Sequence, residues 1–174
     1  MKVVILAGGL GTRLSEYTST IPKPMVPVNG KPLLIRIMNY FYSYGYKDFY
    51  IALGYKGNVI KRYFKKNKKK KWNVHLIDTG KKTMTGGRLK RLNKYLREET
   101  FMMTYGDGLS NVNLKKLVEF HRTNNKKVTL TAVRPPARFG FIKIKGNLVN
   151  YFKEKSKADT GWINGGFFIM EPSF

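Results

Sequence analysis

The sequence predicts an α/β fold, a mixed and mainly parallel sheet flanked by helices with a β-rich C-terminal edge. Three observations predict it. Short apolar runs, several β-branched, alternate with stretches whose apolar residues recur every three or four positions. The first run breaks directly into glycines, as at the carboxyl end of a buried parallel strand. After Gly140 the helical period disappears and only strand patterns follow.

The elements follow in order. Val3 to Ala7 is apolar, too short for an ordinary helix, and reads as a mid-sheet strand. Lys31 and Pro32 open a helix with Leu33, Leu34, Ile37, Met38, Phe41 and Tyr42 on one stripe, and Gly45 is its stop. Asp48 to Leu53 is the second strand. Asn58 to Lys66 is a short helix with Val59, Ile60, Tyr63 and Phe64 inward, and Val74 to Asp78 is the third strand. Thr85 is the expected cap of a helix from Gly86 to Leu96, and Phe101 to Tyr105 is a strand running into Gly106, Asp107 and Gly108. Asn113 caps Leu114 to Arg122, before the strand Val128 to Val133. Phe141 to Ile144, a turn at Gly146 and Asn147, and Leu148 to Phe152 predict a hairpin lying over the substrate site, and Trp162 to Met170 is the last strand. No repeat or linker divides the chain, so residues 1–174 read as one domain.

Composition narrows the class. At 42% apolar, 174 residues suffice for one core. There is no cysteine, so disulfides and thiolate metal sites are excluded. The apolar N-terminal run is shorter than the core of a signal peptide, and no run reaches membrane-spanning length, which predicts a soluble cytoplasmic protein without a membrane partner. The net charge of +24 raises nucleic acid as a partner. The cations are spread along the chain and dominated by Lys, and the run Lys65 to Lys71 reads as an exposed charged connection. Salt-sensitive adhesion to polyanions is therefore favoured over specific nucleic-acid binding.

The chemistry concentrates around the first strand. Gly8, Gly9 and Gly11 permit positive φ and close backbone approach, and successive N–H groups in such a turn cradle an anion. Arg13 and Lys23, the latter between Pro22 and Pro24, add two cations. Thr12 and Arg13 replace the Lys and Ser/Thr that a Walker A loop requires after its last glycine, and Leu14 stands where a dinucleotide fingerprint needs its third glycine. What remains is a phosphate site of another kind. Asp107, between glycines at the end of its strand, reads as a Mg²⁺ ligand, because Mg²⁺ favours one or two carboxylates completed by water and phosphate. Asp and Gly are equally the ordinary residues of a turn. His75 and His121 are assigned no role.

The run Leu6 to Leu14 (LAGGLGTRL) with Pro22, Lys23, Pro24 and Met25 resembles the signature of the sugar-1-phosphate nucleotidylyltransferases. Within them the chain is most similar to the glucose-1-phosphate cytidylyltransferases, through Leu53 to Gly57, Asp78 to Gly80, Thr83 to Arg91, Thr104 to Gly108, Arg138 to Gly140 and Ile163 to Phe168. The resemblance implies a Rossmann-like, GT-A-like nucleotidyltransferase domain that moves a cytidylyl group from CTP to glucose 1-phosphate with Mg²⁺. The CDP-glucose formed would serve dideoxysugar and O-antigen polysaccharide synthesis.

The resemblance also implies roles. Leu6, Gly8, Gly9, Gly11, Thr12, Arg13, Lys23, Gly87 and Arg88 would bind the nucleotide, with Arg88 near cytosine. Arg13 and Lys23 would be catalytic, Asp107 would hold the metal, and Glu154, Lys155 and Asn164 would hold the sugar phosphate. Asn164 with Gly165 and Gly166 could equally be a strand bulge. Ser156 stands where the family usually has proline, and the lysine run replaces a family segment used in subunit packing, which leaves a homo-oligomer open. The family pattern continues past Phe174 to a second metal aspartate, so the chain is expected to be truncated. Thymidylyl or uridylyl transfer, an inactive nucleotide-binding remnant and a basic nucleic-acid-binding protein are the alternatives.

Overall fold

The computed structural model describes residues 1–11, 18–67, 71–135, 141–153 and 161–173. In chain order its main elements are β1 (Val3–Leu6), the short pair β2 (Pro27–Val28) and β3 (Lys31–Pro32), α1 (Leu33–Ser43), β4 (Asp48–Leu53), α2 (Gly57–Lys66) and β5 (Asn73–Asp78). They continue with α3 (Thr85–Leu96), β6 (Phe101–Tyr105), α4 (Leu114–Asn124), β7 (Val128–Val133), β8 (Phe141–Lys145), β9 (Leu148–Lys153) and β10 (Ile163–Met170). Six of the strands form one sheet in the order β5-β4-β1-β6-β10-β7. β1 pairs in parallel with β4 and β6, and β4 with β5, so the predicted mid-sheet strand is in place. β10 runs antiparallel to both β6 and β7.

The period-two alternation of β1 divides the core between the two faces. Val3 and Ile5 face the cluster built with Leu34, Ile37 and Phe41 of α1, Ile60 of α2 and Leu114 of α4. Val4 faces the other side, against Leu92 and Leu96 of α3. The result is a three-layer arrangement with α1, α2 and α4 on one face and α3 on the other. Each fully buried leucine, such as Leu34 or Leu92, contributes about 1.5–3 kcal/mol relative to exposure.

Local signals set the boundaries. Gly45 takes φ +90° and its N–H bonds to Tyr42 O at 2.9 Å, which stops α1 where expected. Asn113 Oδ1 accepts from the Lys116 N–H at 3.1 Å and caps α4. Thr85 is not a cap. It is the first residue of α3, behind Met84, and makes no side-chain capping bond. Lys65 and Lys66 of the lysine run belong to the last turn of α2, and Lys71 Nζ donates to Asn39 Oδ1 at 2.9 Å while lying over Tyr42 and Trp72.

The C-terminal strands form the expected β-rich edge, with β10 inserted antiparallel between β6 and β7, and differ from expectation in the hairpin. The predicted hairpin forms, with its turn at Gly146, but β8 and β9 make a separate two-stranded sheet and line no part of the cleft described below. No helix among the described residues is long and apolar enough to cross a membrane.

Candidate active site

At the carboxyl end of the parallel strands the three glycines do three different things. Gly11 takes φ +68°, where a side chain is strained, and its carbonyl accepts from Thr18 Oγ1 at 3.2 Å. Gly9 is open, and a Cβ there would meet no atom of the described residues beyond its chain neighbours within 4 Å. Gly8 is neither open nor at positive φ. A Cβ on it would overlap the guanidinium of Arg88, and its carbonyl accepts from the Tyr55 N–H at 3.1 Å and Arg88 Nη2 at 2.9 Å. The positive φ expected of the loop is confined, among these three, to Gly11.

Lys23 and Asp107 converge across the cleft. The Gly106 N–H bonds to Leu6 O at 2.9 Å, which ties the turn after β6 to the end of β1. A Cβ at Gly106 would come within 2.8 Å of Pro24, so glycine there lets the proline seat against the strand end. Lys23 starts a short 3-10 turn through Met25, and its Nζ donates to Asp107 Oδ2 in a part-exposed ion pair. The cation expected at the triphosphate and the carboxylate expected at the metal thus neutralise each other in the free protein. Among the described residues no three acidic or histidine side chains cluster to enclose a metal. A single carboxylate beside a phosphate cleft suits Mg²⁺, which completes its shell with water and phosphate oxygens.

Arg88 is buried at the floor. Its Nη1 donates to Leu53 O at 3.1 Å, Thr79 Oγ1 at 2.7 Å and Gly80 O at 2.9 Å. Burial pulls its pKa below the ordinary arginine value, neighbouring Arg91 acts in the same sense, and Asp78 opposes them. Thr79 Oγ1 donates to Leu53 O at 2.6 Å, and Arg91 Nη1 bonds Thr79 O at 2.7 Å. The loop after β5 is therefore built around two guanidinium groups.

These parts enclose a cleft of about 420 Å³. Of the predicted residues, Leu6, Gly8, Gly9, Gly11, Lys23, Arg88 and Asp107 line it. Gly87 does not; it lies in the first turn of α3, where a Cβ would come within 2.9 Å of Thr83. Asn164 is also off the wall, but its Nδ2 donates to the hydroxyl of Tyr105, which does line the cleft, at 3.1 Å. The Gly166 N–H bonds Asn164 Oδ1 at 2.8 Å and the pairing of β10 with β7 shifts register between Asn164 and Phe168, so the expected bulge is present. Thr12, Arg13, Glu154 and Lys155 lie outside the described residues. The sequence reading gave no binding role to Thr83, Met84, Thr85 or Tyr105, which also line the cleft. Their position at the start of α3 and at the end of β6 was the available signal.

The comparisons with known proteins agree with this geometry. Residues 2–174 match the nucleotidyl transferase family model. Glucose-1-phosphate cytidylyltransferase of Salmonella typhimurium is 48% identical, the match covering 99% of this chain and 76% of the relative. Probable glucose-1-phosphate cytidylyltransferase of Bacillus subtilis is 40% identical over 99% of this chain and 75% of its own. Among solved structures, HddC from Yersinia pseudotuberculosis complexed with GMP-PN superposes with a TM-score of 0.75 at 33% identity, covering 99% of this chain and 77% of that one. With this sheet order, this glycine turn and these relatives, the chain belongs to the nucleotidyl transferase family and is similar within it to the glucose-1-phosphate cytidylyltransferases.

Proposed function

We propose that the protein transfers a cytidylyl group from CTP to α-D-glucose 1-phosphate, giving CDP-glucose and pyrophosphate for dideoxysugar and O-antigen synthesis in the cytoplasm. The observation that carries this reading is the cleft itself: a glycine turn at the end of β1 faces Lys23 and Asp107, in a chain 48% identical to a cytidylyltransferase. An oxygen of the sugar phosphate attacks the α-phosphorus in line. A new P–O bond forms, the bond from the α-phosphorus to the bridging oxygen breaks, and the electron pair leaves with pyrophosphate. The attacking phosphate is ionised at neutral pH, so no protein nucleophile is needed.

The side chains act by position and charge. Gly9 and Gly11 let the triphosphate approach the main chain, and Lys23 offsets charge on the departing pyrophosphate. Asp107 would hold Mg²⁺, which when bound neutralises phosphate oxygens. Binding of substrates would divide the Lys23–Asp107 pair between phosphate and metal. Arg13 is assigned to the triphosphate with Lys23, and Glu154, Lys155 and Asn164 to the sugar phosphate.

Phosphorus NMR of a mixture of CTP, glucose 1-phosphate and Mg²⁺ tests the reading. The protein should convert the two substrates to a diphosphate diester and free pyrophosphate in equal amounts. CTP that binds without any such conversion would leave a nucleotide-binding remnant in place of an enzyme.

A further inference from the structure

Arg88 is 5% exposed, and among the described residues its hydrogen bonds go only to neutral oxygens. A buried cation without a carboxylate partner is costly unless its N–H groups are fully engaged. Here the engagement is systematic. Gly8 follows β1, Leu53 ends β4, and Thr79, Gly80 and Lys81 follow β5, so one guanidinium joins the carboxyl ends of three adjacent parallel strands. Space is kept for it on two sides. A Cβ at Gly8 would overlap it, and a Cβ at Gly54 would lie 2.5 Å from Nη1.

We propose that Arg88 is a positioning residue: by bonding the carbonyls of Gly8, Leu53 and Gly80 it sets the glycine turn and the 79–82 loop, and so serves any nucleotide in the cleft without choosing the base. The inference rests on the cytidylyltransferase reading for its substrates. It differs from a base-reading arginine in what its loss does. A base reader affects one nucleotide above others, whereas a residue that positions the phosphate turn affects all of them alike.

The test compares kcat/KM for CTP and UTP in wild type, Arg88→Met and Gly54→Ala. Arg88→Met should lower both values by a common factor of about 100, with their ratio held within about twofold, and added guanidinium ion should restore part of the loss. Gly54 lines no part of the cleft, and a Cβ there would press on the guanidinium at 2.5 Å and on the Gly8 carbonyl it holds at 2.7 Å, so Gly54→Ala should disturb this contact and lower both nucleotides together by about tenfold. A CTP to UTP ratio that falls about tenfold in Arg88→Met, with UTP little changed, would overturn the proposal. So would wild-type kinetics in Gly54→Ala.

Amide hydrogen exchange supplies a readout independent of turnover. Exchange at residues 8–9 and 79–82 should quicken by at least about tenfold in Arg88→Met while β1 and β4 stay protected; unchanged exchange there contradicts the proposal. If the wild type turns over neither nucleotide, the functional reading fails and exchange still decides this one. If Arg88→Met does not fold, Arg88→Lys, which keeps the charge but lacks the fork that spans these carbonyls, carries both measurements.

Discussion

Lys23 and Asp107 carry opposite charges at the same mouth of the cleft, and both side chains are part-exposed there. Lys23→Met should therefore lower kcat by about 100- to 1,000-fold, the usual loss for one donor aimed at developing charge, with little change in Tm. Gly9 separates binding from folding. Among the described residues no atom beyond its chain neighbours lies within 4 Å of a Cβ there, so Gly9→Ala should unfold as wild type in urea while KM for the nucleotide rises. Gly11→Ala should instead destabilise the protein, by about 1–2 kcal/mol for its φ of +68° alone. The glycine turn and Asp107 were legible in the sequence because turn chemistry is local. The reason for Gly8 was not, since the guanidinium that fills its missing Cβ comes from a residue 80 positions along the chain.

At the scale of elements, α4 is fastened to the sheet by a polar contact far from the cleft. His121 Nε2 donates to Glu171 Oε1 at 2.8 Å, Nδ1 lies 2.8 Å from Thr129 Oγ1, and Thr100 Oγ1 donates to the same carboxylate oxygen at 2.9 Å. The bond from His121 holds the Glu171 carboxyl below its ordinary value of 4.5, against an opposing effect of burial. A depressed carboxylate stabilises the fold fully above its unfolded value and loses that contribution as pH falls through the folded one. Urea melts should therefore show wild-type stability dropping below about pH 4.5, and Glu171→Gln dropping less steeply there. Loss of the α4 cap in Asn113→Ala should cost about 1 kcal/mol at any pH in between. Periodicity made α1, β4, α3 and β6 readable, but the insertion of β10 between β6 and β7 is a long-range pairing with no local signal. Arg88 did leave a trace. It precedes Leu92 and Leu96 by successive steps of four, on the buried stripe of α3, where an arginine is out of place unless it is bonded.

For the whole molecule the net charge of +24 bears on encounter more than on chemistry. CTP and glucose 1-phosphate are anions, so raising salt from about 50 to about 500 mM should raise both KM values and leave kcat nearly constant. The central claim, that this fold and cleft serve cytidylyl transfer, is tested most directly by pyrophosphate release from CTP, UTP and dTTP in parallel, each with glucose 1-phosphate and Mg²⁺. The expected result is release that depends on the sugar phosphate, with kcat/KM for CTP at least about tenfold above the other two. No release from CTP, or equal use of all three nucleotides, would contradict it.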